Sequence, residues 1–454
     1  MSMGKRPTER QPELFVSSGD LARSPGHPFY DRLNSLLLEN DFDRFVEDRC
    51  AEFYSAKTGR PSMPPGVYFR FLMVGYFEGI GSERAIAWRC ADSRSLSSFL
   101  GYGPTESTPD HCTLSRTRRL LDLETHGEIF TWVLSMLAKQ GLVKGKTISI
   151  DGSTLEANAA MRSIVRRDNG ETYGAFLEGL AKESGIETPT REQCAKLDRK
   201  RKKKGSNDDW KHPGDPDARI TKMKDGRTHL AHKIEHATDL DTTAIVAVTI
   251  QPANCGDTQS VHETLAEACV QVEQAMPDAE GVSEVVLDKG YHSNDVLRDL
   301  TEMNFRTYIS EPDRGRRCWK NKEEERDAVY ANRRRICGNR GQRLRKLRGE
   351  IVERSFAHCL ETGGGRRSHV RRHENVAKRA LIGGATYNIA LMMRALTGVG
   401  TPKGLQGRFA GVLDRMRGHL AAIRQLMNAA TASRTQVAGI FDWVFMRTAC
   451  YAAA

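Results

Sequence analysis

The sequence predicts a mixed α/β fold preceded by an all-α segment, and three observations carry that prediction. From Phe29 to about residue 140, apolar residues recur at helical spacing. Beyond 140, short β-rich runs alternate with helical stretches. Two of those runs, Lys146 to Asp151 and Ser283 to Asp288, are apolar and end in a carboxylate. Strands and helices mixed in that order suggest a central sheet flanked by helices. At 454 residues, 39% hydrophobic and 28% charged, the chain reads as a soluble globular protein of two or three domains. That composition excludes a disordered, collagenous or membrane-spanning protein.

The elements follow in order. Residues 1–28 are polar and rich in Pro, Gly and Ser, a flexible arm. Residues 29–140 form a helical domain, with apolar helices over Asn34 to Phe45 and Val67 to Phe77 and a third begun by Ser82 as N-cap. Ser107-Thr-Pro-Asp-His-Cys-Thr-Leu-Ser-Arg-Thr-Arg-Arg is a breaker followed by a short basic helix. It is compatible with helix-turn-helix DNA binding, and a capped surface helix is the plainer reading. Residues 141–397 form the mixed domain. Within it, about 160–228 is a polar, basic insertion or loop holding the run Arg199 to Lys204. Strands at His229 to Asp239 and Thr243 to Ile250 form a hairpin, and helices start at Asp257, Val296, Gln342 and Asn375. Residues 398–454 form an Ala-rich helical tail.

Net charge is +11, which makes nucleic acid the default partner. The excess is local: residues 311–379 hold 21 Lys and Arg against 10 Asp and Glu, so this segment alone accounts for the surplus. The ten cysteines show no C-x-x-C pairing or zinc spacing and read as reduced thiols. No segment resembles a signal peptide or a membrane span, so a cytoplasmic location is expected.

The chemistry rests on carboxylates. Asp151 and Asp288 end apolar strands beside the small residues Gly152, Ser153 and Gly290, which leaves room for a ligand at the sheet edge. Two such side chains on adjacent strands repel unless protonated or bridged by a cation, and Mg²⁺, a hard ion that takes carboxylates, fits. A third carboxylate from a helix would complete a two-metal site for phosphoryl displacement. The helix Arg343 to Phe356 offers Glu350 and Glu353, and spacing alone does not choose between them. Taken singly, a strand-end Asp is more often a turn or cap residue; it is the combination with the basic surroundings that points to catalysis. His232, Lys233 and His236 read as ordinary strand positions; Asp257, after the second hairpin strand, is placed to neighbour the site, with helix capping as the plainer reading.

At these residues the chain resembles the DDE transposases of bacterial insertion sequences, which have a ribonuclease H-like catalytic core. Ile150-Asp151-Gly-Ser-Thr, Leu287-Asp288-Lys-Gly-Tyr-His-Ser and Ile351-Val-Glu353-Arg-Ser-Phe resemble the three acidic motifs, which selects Glu353. Ser82-Glu-Arg and Thr108-Pro-Asp-His-Cys-Thr-Leu-Ser-Arg-Thr-Arg resemble the helical N-terminal domain of one branch. The resemblance runs from about residue 40 to 397. The chain departs from many relatives around Glu353: Arg348 is one position from their Arg slot, no Tyr precedes it, and Leu360 stands where a Lys would fall.

The resemblance implies cutting at transposon ends and transfer of the 3′-hydroxyl ends to target DNA. Asp151, Asp288 and Glu353 would be catalytic and hold two Mg²⁺ ions, with Mn²⁺ as substitute. DNA contacts are expected from Lys289, Arg348, Arg354, Arg366, Arg367, Arg371 and Arg372. The expected partners are double-stranded DNA, as terminal inverted repeats and as target, and a second copy of the chain on that DNA. The competing readings are a DNA-binding protein that has lost catalysis and a metal-dependent nuclease that cuts without joining.

Overall fold

The computed structural model describes residues 26–55, 59, 62–201, 205–223, 226–315 and 317–405. The expected arm lies almost wholly outside the described residues, as does all but the start of the expected C-terminal tail and part of the Arg199 to Lys204 run. One compact unit extends through Met392 and a second begins at Met393.

Among the described residues, seven α-helices come first: α1 (Pro28–Glu39), α2 (Phe42–Cys50), α3 (Pro65–Glu78), α4 (Glu83–Asp92), α5 (Arg94–Phe99), α6 (His111–Leu120) and α7 (Leu123–Lys139). The starts are written in the sequence. Ser82, Ser93, Asp110 and Asp122 each accept a hydrogen bond from the backbone three residues on, supplying a partner for a helix-end amide. The stretch Asn34 to Phe45, expected as one helix, breaks at Asn40-Asp41, where Asp41 turns left-handed. Helix α3 is buried nearly all round, so it forms the centre of this bundle. Its one buried charge, Arg70, is held by both oxygens of Asp43.

The mixed region follows: β1 (Thr147–Glu156), β2 (Val165–Arg166), α8 (Tyr173–Glu183), α9 (Arg191–Lys200), β3 (Trp210–Lys211), β4 (Arg219–Lys222), β5 (Thr228–Asp239), β6 (Ile245–Pro252), α10 (Asp257–Ala275), β7 (Glu284–Leu287), α11 (Asn294–Glu302), β8 (Arg306–Ile309), α12 (Glu323–Cys337), α13 (Asn339–Phe356) and α14 (His373–Thr397). A short π-helical stretch, Ala357–Thr362, extends α13. Helix α12 was not expected. Among the described residues, no helix is long and apolar enough to cross a membrane.

The main sheet runs β4-β5-β1-β7-β8, with β6 also on β5. Strand β5 is antiparallel to β1, β4 and β6, while β7 and β8 run parallel to β1. Three antiparallel strands continued by two parallel ones, with helices on both faces, is the ribonuclease H-like arrangement that the resemblance implies. Helix α10 covers one face. Helix α13 covers the other, where Leu344 and Ile351 pack with Val286, Tyr308 and Leu240.

The span 160–228 carries elements of its own. Trp210, Ile164, Ala157, Ala218 and Leu230 form a small core against the end of the main sheet, and Leu177, Ala181 and Cys194 join α8 to α9. Its loop then grips α14. Asp215 accepts a hydrogen bond from the Arg372 amide and Asp217 one from the His373 amide, each 3.0 Å long. Two carboxylates thus sit at the positive end of the longest described helix.

Helix α14 also closes the open side of β6. The Asn388 side chain accepts from the Ile245 amide at 2.9 Å and donates to the Ile245 carbonyl at 2.7 Å, and His373 Nε2 donates to the Ile250 carbonyl at 2.7 Å. An edge strand covered this way has fewer free groups for pairing with another chain. Replacing Asn388 by Leu leaves both Ile245 groups buried and unpaired. The expected cost is about 1–3 kcal/mol in urea unfolding, with faster hydrogen exchange at the Ile245 amide.

Candidate active site

Strand register builds the site. β1 and β7 are parallel, with Ser149 opposite Val286. Continuing that register two residues brings Asp151 beside Asp288. Asp151 does not end its strand, as the sequence suggested; β1 runs five residues further, paired with β5, and it is β7 that stops at Leu287. Asp151 therefore lies mid-strand but just past the end of its neighbour, where its side chain is reachable. Asp288 opens the turn Lys289–Tyr291, and its Oδ1 accepts from the Gly290 amide at 2.7 Å.

Asp151 shares a sheet face with His236, its partner on β5, and this is the face that α13 covers. Helix α13 is docked there by Ser355, whose hydroxyl lies 3.2 Å from His236 Nδ1, and by Phe356, which stacks on the His236 ring at 4.3 Å. About two turns earlier the same helix sends Arg348 to the acids. Its Nη2 is 3.0 Å from Asp151 Oδ2 and 4.0 Å from Asp288 Oδ2. Burial pushes the Asp151 carboxyl above its usual range. Arg348 and the Gly152 amide pull it back, and the neighbouring Asp288 and Asp257 push it up again.

On the α10 face lies a second network of charges, which includes Asp257. Lys233 Nζ is 2.7 Å from Asp257, 2.8 Å from Glu235 and 2.9 Å from Ser260. Glu235 is fully buried and also accepts from Ser260, Thr264 and Tyr291. Burial works against the Lys233 charge, but its bonds to Asp257 and Glu235 outweigh that and raise its pKa. Asp257 is the first residue of α10 and no cap. A Cβ at Gly290 would meet Asp257 Oδ2 at 2.6 Å and Asp288 Oδ1 at 3.0 Å, so the two carboxylates flank this glycine. A Cβ at Gly152 would meet Lys233 Cε at 2.8 Å. The available signal was the same-face pair Lys233 and Glu235 on a strand beside two acidic motifs. His232, the other strand histidine, is buried against Asp215 and plays no part here.

The remaining expected residues distribute unevenly. Glu353 is exposed on α13, and among the described residues no hydrogen bond or ion pair involves its side chain. The one described group of three His, Cys, Asp or Glu whose ligand atoms lie within 4.8 Å of one another is Asp110-His111-Cys112 at the start of α6, so the structure does not draw Asp151, Asp288 and Glu353 that close. Arg348, expected on DNA, is engaged by the acids instead, and Arg354 pairs with Glu350 at 2.7 Å. Lys289 is exposed in the turn after Asp288. Arg366, Arg367, Arg371 and Arg372 are exposed on one segment laid against the end of β1: the Glu156 amide donates to the Arg366 carbonyl and the Ser368 amide to the Glu156 carbonyl. Arg366 pairs with Glu361, and Arg371 donates to the Asn158 carbonyl. Leu360, in the Lys slot of relatives, is buried.

The donor set suits a divalent metal. It consists of carboxylate oxygens, and Asp151 carries a charge that burial and two acidic neighbours oppose, which a hard cation would relieve.

Two outcomes are expected from this geometry. Gly152→Ala crowds Lys233 Cε, which must shift, and is expected to lower unfolding free energy by about 1 kcal/mol in denaturant titration. His236 is buried, which lowers its pKa from 6.5 to about 3. The unfolded chain therefore takes up a proton that the folded chain refuses. The stability that this group contributes is whole above pH 6.5 and is lost as pH falls toward 3. In His236→Phe, unfolding free energy should fall less steeply over that window, by about 1.4 kcal/mol per pH unit.

Comparison with known families agrees with this architecture. Residues 19–120 match the family described as "Transposase domain (DUF772)", and residues 205–389 match "Transposase DDE domain". Asp288 and Glu353 fall within the second match, and Asp151 lies upstream of it. No curated protein and no solved structure matches the chain. With a helical front of one transposase family and a ribonuclease H-like sheet of another, in that order, the chain belongs to the DDE transposases of insertion-sequence type.

Proposed function

We propose that this transposase cuts the phosphodiester bonds at transposon ends and transfers the 3′-hydroxyl ends to target DNA, with Asp151, Asp288 and Glu353 as its acidic residues. The observation that carries the reading is the parallel register that sets Asp151 beside Asp288 under a basic helix. These three carboxylates would hold two Mg²⁺ ions, or Mn²⁺, which when bound activate the attacking hydroxyl and stabilise the leaving 3′-oxygen. Glu353, exposed and unpaired, is free to join the acid pair as DNA closes on the site. No protein nucleophile is needed, so no Ser or Tyr has to lie at the site.

The rest of the chain binds and orients. Lys289 and Arg354 border the acids and hold the scissile phosphate. Arg366, Arg367, Arg371 and Arg372 line the backbone of the duplex, which gives salt-sensitive affinity without sequence readout. Helices of the 29–140 region read the terminal repeats, with the exposed Arg116 and Arg119 of α6 available to DNA. Joining two ends calls for two active sites, hence two copies of the chain on DNA. A second reading, DNA binding without catalysis, is favoured by one observation: Glu353 stands apart from the Asp pair and buried Leu360 fills the Lys slot.

The test is cleavage of labelled DNA from the flanks of the protein's own gene, in Mg²⁺ or in EDTA. Metal-dependent cutting at the element boundary, abolished in Asp288→Asn while DNA binding persists, is the expected result. Binding without cutting in both Mg²⁺ and Mn²⁺ favours the second reading, and cutting without joined products favours a nuclease. Each single Arg→Ala change at 366, 367, 371 or 372 should weaken binding equally on unrelated duplexes and reduce the slope of log affinity against log salt by about 1.

A further inference from the structure

Arg348 brings the nearest positive charge to both Asp151 and Asp288. It engages Asp151 through Nη2, which also lies 4.0 Å from Asp288, while its buried Nε has no hydrogen-bond partner. A guanidinium is built to grip two oxygens at once through a planar fork, and here that fork is only partly used. The helix beneath it is fixed, because Leu344, Ile351, Val352 and Ser355 are buried against the sheet. The side chain is long and can change rotamer without moving α13. A guanidinium and a divalent ion repel, so both cannot occupy the space between the two carboxylates.

We propose that Arg348 is a positioning residue that keeps the Asp151–Asp288 pair neutralised and closed to divalent cations until a DNA phosphate draws the guanidinium away, so that cation entry follows DNA engagement. The phosphate offers the two-oxygen partner that Asp151 does not provide in this arrangement. The inference rests on the acidic site proposed above, and it adds an order of events: the arginine moves from acid to phosphate, and the vacated carboxylates then accept the metal.

The experiment is calorimetric titration of Mn²⁺ into the full chain without DNA. Arg348→Met is expected to bind Mn²⁺ about tenfold more tightly than wild type, the scale of removing one nearby charge in partly solvated surroundings. Arg348→Lys keeps the charge and should stay within about twofold of wild type, as should Arg345→Met, which removes an exposed charge from the same helix. Thermal melting covers the case in which Arg348→Met is less stable: Mn²⁺ should raise its Tm by more than it raises that of wild type. Unchanged or weaker Mn²⁺ binding by Arg348→Met overturns the inference. If Asp288→Asn weakens binding while Arg348→Met leaves it unchanged, the acidic site stands and only the role of Arg348 falls. If the double variant Asp288→Asn/Arg348→Met binds as tightly as Arg348→Met, the ion is not at the acid pair, and both readings fall.

Discussion

Like charges on neighbouring strands are the constraint around which this molecule is organised. The parallel pairing of β1 with β7 leaves no freedom in where Asp151 and Asp288 meet, and two carboxylates held there need positive charge close by. The protein supplies it from both faces of the sheet. Arg348 comes from α13 on one side, and on the other Lys233 offsets Asp257 and Glu235. The helices that carry or meet these groups are fixed by interlocking buried contacts: His236 with Ser355 and Phe356 for α13, Glu235 with Ser260 and Thr264 for α10. The acidic centre is thus a balance of charges held by packing, and the strand residues that do the packing, Glu235 and His236, lie on β5, the neighbour of β1.

That balance explains what was legible in the sequence. The strands around Asp151, Asp288 and the β5–β6 hairpin were visible because a buried strand shows as a short apolar run, and the two acids stood out at their ends. The length of β1 was hidden because its second half, Gly152 to Glu156, has a mixed pattern whose pairing with β5 is a tertiary fact. Asp257 read as a helix cap because its partner, Lys233, is 24 positions earlier and on another strand. Glu235 went unremarked for a similar reason: a buried carboxylate is intelligible only with its hydroxyl and ammonium partners in place. The motif singled out Arg348 for its charge but not for its direction, since helical periodicity gives a face and not the atom at the far end of the side chain.

The basic surplus is likewise more structured than a charge count suggests. Residues 311–379 hold the arginines proposed to contact DNA, yet several of their cations are spent internally: Arg340 on Glu284, Arg333 and Arg317 on Glu311, Arg335 on the Thr307 carbonyl. These contacts fasten α12, α13 and the loop before them to the outer strands β7 and β8. The arginines of the 366–372 segment differ in position, lying along the continuation of β1 beyond the acid pair. A duplex following that segment would pass from the sheet's end toward the acids.

The grip of Asp215 and Asp217 on the start of α14 has a consequence for how the chain tolerates change. The span 160–228 is the part of the mixed region that an engineer would trim first, since it separates β1 from β5 and is rich in polar residues. Yet its loop anchors the helix whose Asn388 and His373 cover the outer side of β6. Removing the insertion would loosen that cover and leave a strand with open pairing groups, a template for sheet-to-sheet association between copies. What looks like dispensable decoration is, in this fold, protection against self-aggregation.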